Sequence, residues 1–376
     1  TVGRLGGDEF IVLVEEPDLL GGPKLVAQRI IDMFAEPIQV GGIATPVSCS
    51  IGIAFSRGES PAELIHNADV AMYRAKASGR KRYVMFEPDM ADSLADRINL
   101  EWDLGSALGN GELTLVYQPT FDLRTEETTG VEALLRWNHP GRGPVGPTEF
   151  IPIAEDSGLI VPIGRWVLDT ACAQAAEWTR QGYPVRMAVN VSAVQLDDES
   201  LVDDVRRALD SSELSPHQLT LEITETALMH DAIAINSRLH ELKILGVRLA
   251  IDDFGTGYSS MAYLQQFPVD AIKIDRSFIS DLAESRESHA LVHTLIQLGK
   301  TLRLETLAEG IEDRGQLHEL LRQDCDTGQG FLYARPMPAE SVKAFIEQHR
   351  PSGPAATAEA SVEPAPATDR PRAQRR

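Results

Sequence analysis

Residues 219–278 read LTLEITETALMHDAIAINSRLHELKILGVRLAIDDFGTGYSSMAYLQQFPVDAIKIDRSF. Three β-rich runs stand out in this stretch: LTLEITE (219–225), VRLAIDDF (247–254) and AIKIDRSF (271–278). An amphipathic helical segment, INSRLHELKILG (235–246), separates the first two. Strand, helix, strand is the unit from which parallel sheets are built. A parallel strand covered on both faces should be a continuous apolar run. These strands instead carry Glu222, Asp252 with Asp253, and Lys273 near their ends.

The same rhythm extends in both directions. LTLVYQP (113–119), VEALLRW (131–137) and RMAVNVS (186–192) precede the stretch, and LETLAEG (304–310) and GQGFLYA (328–334) follow it. A further helix, LIVPIGRWVLDTACAQAAEW (159–178), falls between the second and third of the eight runs. Eight strands alternating with helices predict a (β/α)8 barrel, with an open doubly wound sheet as the competing architecture. The added runs bring Gln118, Glu132, Asn190, Glu309 and Gln329. Any one of these polar residues could be a satisfied cap or loop residue. Six strands in succession need another reason, because a desolvated, unpaired carboxylate costs several kcal/mol. In a barrel, strand ends converge on one face, where active sites lie.

The converging set is carboxylates, amides and one lysine, without thiolate or imidazole. Oxygen donors suit Mg²⁺, Mn²⁺ or Ca²⁺ rather than zinc. The adjacent Asp252 and Asp253 invite two ions, the arrangement that splits phosphodiesters by activating water and neutralising phosphate oxygens. The loop that follows, DFGTGYSS (253–260), is rich in glycine and hydroxyls and could gate such a site.

Composition is consistent with this reading and excludes others. The 376 residues carry 56 acidic and 35 basic side chains, a formal charge of −21. That balance argues against wrapping a nucleic acid polymer or lying on an anionic membrane. Three scattered cysteines, Cys49, Cys172 and Cys325, form no disulfide framework and suit a reducing cytoplasm. No run is long and apolar enough to span a bilayer. Residues 1–86 form a small block, 87–97 a linker helix region, 98–348 the barrel and 349–376 a Pro/Ala-rich tail read as disordered. In the connecting helix, Leu94, Ile98 and Trp102 recur every fourth residue and should share one face.

EALLRW (132–137), NVS (190–192), EITE (222–225), DDFGTGYSS (252–260), KID (273–275), AEG (308–310) and QG (329–330) closely resemble the EAL domain, in order and spacing. The resemblance implies hydrolysis of cyclic di-GMP to the linear dinucleotide, in a barrel whose first strand runs antiparallel. It implies that Glu132, Asn190, Glu222 and Asp252 hold one metal ion, Mg²⁺ or Mn²⁺, and that Asp253 helps hold a second. Lys273 and Glu309 would orient the attacking water, Glu225 would anchor the loop after Asp252, and Gln329 would lie beside the water. Gln118 and Arg136 would face the substrate. A homodimer is plausible on the same ground. The departures are slight: EGIED (309–313) where the family usually ends in Thr, and Met261 where Leu is usual.

The first block begins GRLGGDEFIVLVEE (3–16), apolar runs flanking a turn at Gly6-Gly7-Asp8-Glu9. With VSCSIGIAF (47–55) and NADVAMYRAKASGRKRYVMF (67–86), it resembles the second half of a GGDEF diguanylate cyclase domain. There the glycines would admit the nucleotide, Glu9 would bind metal near Asp8, and Lys76 and Arg80 would approach the triphosphate of GTP. A chain starting inside that domain is expected to lack cyclase activity. GTP use, and any membrane anchor, would belong to a longer parent. Two other classes remain open: a receptor that binds cyclic di-GMP without cleaving it, and an enolising or lyase barrel with Lys273 as base.

Overall fold

The computed structural model describes residues 1–349 apart from 16–21, 35–37, 41–42, 46, 57, 80, 230–231, 257–263, 265 and 283–284. Arg80, Met261, the end of the DFGTGYSS loop and the tail from 350 onward lie outside the described residues. Among the described residues, no helix is long and apolar enough to cross a membrane.

The chain opens with an antiparallel hairpin, β1 (Val2–Gly6) and β2 (Glu9–Val12). Gly7 takes a positive φ of 53° at its turn, and Arg4 donates to the Gly7 carbonyl at 2.6 Å. There follow α1 (Gly22–Met33), a short hairpin of β3 (Ile38–Val40) and β4 (Ile43–Thr45), and β5 (Ile51–Ile53). Next come α2 (Pro61–Ala77) and β6 (Tyr83–Met85), which pairs parallel to β5. Gly52 is required in β5, because a Cβ there would collide with the α2 backbone at Ala68 and Met72. At the start of α2, Ser60 and Glu63 form a reciprocal capping box, with Pro61 in the first turn where its missing N–H costs nothing.

Helix α3 (Asp89–Ala107) leads into the barrel and crosses the boundary expected at residue 97 without a break. Its buried face is Met90, Leu100, Leu104 and Ala107. The expected stripe points elsewhere: Ile98 is 48% and Trp102 79% exposed, and the side chain of Leu94 is outside the described set. Three contacts tie α3 to the barrel: Arg97 to Asp156 at 2.7 Å, Asp96 to Arg142 at 3.1 Å and Asp103 to His139 at 3.0 Å. Arg97 also donates to the Tyr73 hydroxyl of α2 at 2.9 Å, so one guanidinium joins the two blocks.

Eight strands close the barrel: β7 (Leu113–Asp122), β8 (Thr128–His139), β10 (Arg186–Val191), β11 (Leu219–Thr224), β12 (Arg248–Phe254), β13 (Ala271–Ile274), β14 (Glu305–Ala308) and β15 (Thr327–Gly328). A pairing of β8 with β10 completes the ring, and β7 is antiparallel to both its neighbours. An unanticipated β9 (Gly143–Val145) hairpins onto β8. Three expected strands are markedly shorter than the sequence suggests. LETLAEG pairs only over Glu305–Ala308. AIKIDRSF pairs only through Ile274 before helix α10 (Arg276–Ser280), which Asp275 caps through the Ser277 amide. GQGFLYA contributes Gly328 alone, together with Thr327 before it. Gly330 then packs on the Ile311 backbone so closely that no Cβ would fit.

The helices on the outside include α4 (Pro147–Asp156), α5 (Ile160–Arg180), α6 (Ala193–Asp197), α7 (Leu201–Ser212), α8 (Glu225–Leu228), α9 (Ala232–Leu245), α11 (Arg286–Leu302), α12 (Arg314–Arg322) and α13 (Ala339–Gln348). Strand alternation divides the labour. Leu219, Leu221 and Ile223 of β11, and Leu249 and Ile251 of β12, are buried in the apolar core. The residues between them, among them Glu222 and Asp252, point the other way, into the barrel. Four residues before Asn190, Asp252 and Glu309 stand Arg186, Arg248 and Glu305 at the opposite end of the interior. Arg186 grips Glu305 at 2.7 and 2.8 Å, and Arg248 joins at 2.6 Å. This ion cluster closes the barrel floor.

Candidate metal and phosphodiester site

Strand register brings the polar residues to a common level at the C-terminal mouth. Asn190 lies beside Glu222 on the adjacent strand, and Gln118 lies opposite Glu132. Lys273, 1% exposed, rises among four carboxylates. Its Nζ is 2.6 Å from Glu309, 2.7 Å from Glu222, 3.2 Å from Asp252 and 3.8 Å from Glu132. Amides order the carboxylates. Asn190 Nδ2 donates to Glu132 Oε1 at 2.6 Å, leaving the Asn190 carbonyl oxygen as the atom that could meet a cation. Gln329 Nε2 donates to Glu132 Oε2 at 2.8 Å and to Gln118 Oε1 at 3.0 Å, while Gln118 donates to the Ala334 carbonyl.

Consecutive strand residues should face opposite ways, yet Asp252 and Asp253 act on the same region. The register slips between Ile251 and Phe254, and Asp253 adopts a left-handed φ of 53°, which Asp tolerates better than most residues. Oxygens of Asp252, Asp253 and Glu309 thereby lie within 4.8 Å of one another. The resemblance assigned Glu309 to the water, whereas the geometry also puts it within reach of an ion shared with the two aspartates. Glu225, the first residue of α8, is buried and accepts from the Gly255 amide at 2.8 Å, which fixes the chain just beyond Asp253. Arg136 sits half-buried four residues beyond Glu132 on the same face of β8, donating to the Leu135 carbonyl.

Electrostatics follow from burial and crowding. Burial, reinforced by Glu132 and Asp252 and against the pull of Lys273, holds the Glu222 carboxyl well above the usual range. Burial also pushes Glu309 up to about 8, despite Lys273. Asp253 rises to about 6 through burial, then Asp252 and Asp275. Glu132 goes the other way: burial would raise it, but Lys273 and the Gln329 and Asn190 donors outweigh that and lower it. Burial alone would lower Lys273, but its carboxylate neighbours hold it well above the ordinary value.

Five carboxylates therefore face one ammonium. Two buried oxygens, Gln329 Oε1 and Glu225 Oε1, have no protein partner. A dense oxygen donor set with excess negative charge fits a hard divalent cation. Two groups went unnoticed in the sequence. Asp275 follows Lys273 by two residues, caps the next helix through the Ser277 amide, and its negative charge helps to raise the Asp253 carboxyl. The floor cluster of Arg186, Arg248 and Glu305 could have been found from the same spacing, four residues before the mouth. In the N-terminal block, Gly6, Gly7, Asp8 and Glu9 are exposed on the hairpin and Lys76 is exposed on α2. Among the described residues no hydrogen bond or ion pair joins the two.

A family model described as the EAL domain matches residues 102–336. The chain belongs to the EAL domain family. Residues 1–82 match a second model, the diguanylate cyclase GGDEF domain. Over 349 residues the chain is 44% identical to the bifunctional diguanylate cyclase/cyclic di-GMP phosphodiesterase MucR of Pseudomonas aeruginosa, covering 92% of this chain and 51% of MucR. It is 37% identical over 351 residues to the cyclic di-GMP phosphodiesterase PdeR of Escherichia coli, covering 93% of this chain and 53% of that protein. The chain thus spans about half the length of these curated relatives. The solved PaMucR phosphodiesterase, a c-di-GMP complex, superposes on this EAL chain with a TM-score of 0.63 at 47% identity, covering 65% of this chain and 99% of that one.

Proposed function

We propose that this chain hydrolyses cyclic di-GMP to the linear dinucleotide with two divalent ions, Mg²⁺ or Mn²⁺. One observation carries the reading. Glu132, Asn190, Glu222, Asp252, Asp253, Lys273 and Glu309 converge at one barrel mouth, in a chain 47% identical, with 65% of its length covered, to a phosphodiesterase solved with that dinucleotide. Glu132, Asn190, Glu222 and Asp252 would hold one ion, and Asp253, with Glu309 in reach, the second. Bound there, divalent ions supply Lewis acidity towards a phosphodiester and acidify water.

The chain's own groups do the rest. Lys273, held as an ammonium, is a hydrogen-bond donor and fixed positive charge in the reaction zone and not a base. Gln329 and Asn190 orient Glu132 through both its oxygens. Glu225 fixes the backbone at Gly255, so the chain after Asp253 leaves the strand in one direction. Arg136, half-buried beyond Glu132, and Gln118, buried beside Gln329, are the groups for substrate contact. We keep the N-terminal block at 1–86 and the barrel from 98, with residues 89–97 between them falling in α3, which supports a helical linker. The test is conversion of cyclic di-GMP to the linear product by the purified chain with Mg²⁺ and with chelator. Binding without turnover in Mg²⁺ would make the chain a receptor instead.

A further inference from the structure

Asn190, which must point an amide oxygen at a cation, stands at a strand end paired on one side only. Its strand pairs with β11 as far as Val191, but pairing with β8 stops at Val189. What fixes the strand end is the turn into α6. Ser192 caps that helix, accepting from the Gln195 amide at 3.2 Å, and the Gln195 side-chain oxygen accepts from the Ser192 amide at 3.2 Å. This reciprocal box satisfies two donors at a helix start, two residues beyond Asn190.

The box depends in turn on a notch in the neighbouring helix. Gln195 is 5% exposed and lies against Gly164 of α5. A Cβ on Gly164 would overlap the Nε2 and Cδ of Gln195 and stand 3.0 Å from its Oε1. Gly164 sits inside a 21-residue helix, where glycine costs about 1 kcal/mol relative to alanine. Close approach of the Gln195 amide is the structural reason to keep it.

We propose that Gln195, seated on Gly164, is a positioning residue for Asn190 and hence for the metal site. This rests on the reading of Asn190 as a ligand. Expelling the Gln195 amide frees the Ser192 N–H, loosens the strand end on its unpaired side, and lets Asn190 swing away from Glu132.

The experiment is a cycle of Gly164→Ala, Gln195→Ala and the double variant in the full chain. Mn²⁺ affinity is read by the loss of free-ion electron paramagnetic resonance signal, alongside melting temperature and turnover of cyclic di-GMP. Each single variant should weaken Mn²⁺ binding about tenfold. The double variant should bind no more weakly than Gln195→Ala, because the new methyl fills the space the amide leaves. Gln195→Glu, which keeps the oxygen for the Ser192 amide, should recover most of the affinity. Unchanged Mn²⁺ binding with a lowered melting temperature would overturn the proposal by reducing the pair to packing. Additive losses in the double variant would overturn it too. Wild type that binds Mn²⁺ without turnover would sink the hydrolase reading and leave the positioning result readable.

Discussion

Replacing Lys273 by methionine removes a buried cation at nearly constant side-chain length, so charge changes far more than packing. The ammonium makes two short contacts, to Glu309 at 2.6 Å and Glu222 at 2.7 Å, with Asp252 at 3.2 Å behind them. Breaking a buried ion pair by removing one partner costs about 3–5 kcal/mol. Two partners push towards the upper end, but both glutamates already favour their protonated forms and can discharge. Metal-free protein at pH 7 should therefore lose about 3 kcal/mol, a fall of roughly 6–12 °C in melting temperature for a domain of this size. Divalent ions should return much of that loss, since ligand at a hundred times its dissociation constant adds about 2.7 kcal/mol. The assay is thermal unfolding of wild type and Lys273→Met in chelator and across a Mg²⁺ titration. Equal melting temperatures in chelator would refute the view that this cluster needs a central cation. So would a variant that gains no more from Mg²⁺ than wild type does.

Glu132→Ala should lower turnover at saturating Mg²⁺ to a few per cent of wild type or less with the fold retained, checked by circular dichroism and product chromatography. Glu305→Leu should do the reverse. It strands Arg186 and Arg248 at the barrel floor and should cost about 2 kcal/mol, discounted from a fully buried pair because all three are partly exposed, while turnover at low temperature stays near wild type. In chelator, stability should fall as pH rises from about 5 to 8. Glu309, pushed up to about 8, and Asp253, up to about 6, hold protons in the folded state that the unfolded chain has released, so folding is favoured below the unfolded carboxylate range and that advantage is lost through the folded values. Chemical denaturation at several pH values checks the slope, which saturating Mg²⁺ should flatten.

Much of the barrel is legible in the sequence because its inner face is polar at the mouth. A run such as LTLEIT could pass for any buried strand until Glu222 interrupts it, and five neighbours repeat the interruption. The last strand is shorter than its apolar pattern suggests for a local reason: after Gly328 the chain crosses the Ile311 backbone, where only glycine fits at position 330, and the apolar FLY that follows lies outside the sheet, with Phe331 exposed. The linker helix was legible as a helix, but its buried face was not. Leu100 and Leu104 form one stripe, Ile98 and Trp102 another, and only the barrel decides which is covered. The site residues share a visible pattern, one per strand end. Asp253 joins them through a bulge and a left-handed backbone, which residue spacing does not encode.

The most direct measurement is turnover of cyclic di-GMP by the wild-type chain and by Glu132→Ala, each in Mg²⁺ and in chelator, with the linear dinucleotide quantified. Turnover by wild type in Mg²⁺ alone, lost in chelator and in the variant, is the result predicted. Product formed equally in chelator, or by Glu132→Ala at the wild-type rate, would contradict a metal-dependent phosphodiesterase centred on Glu132.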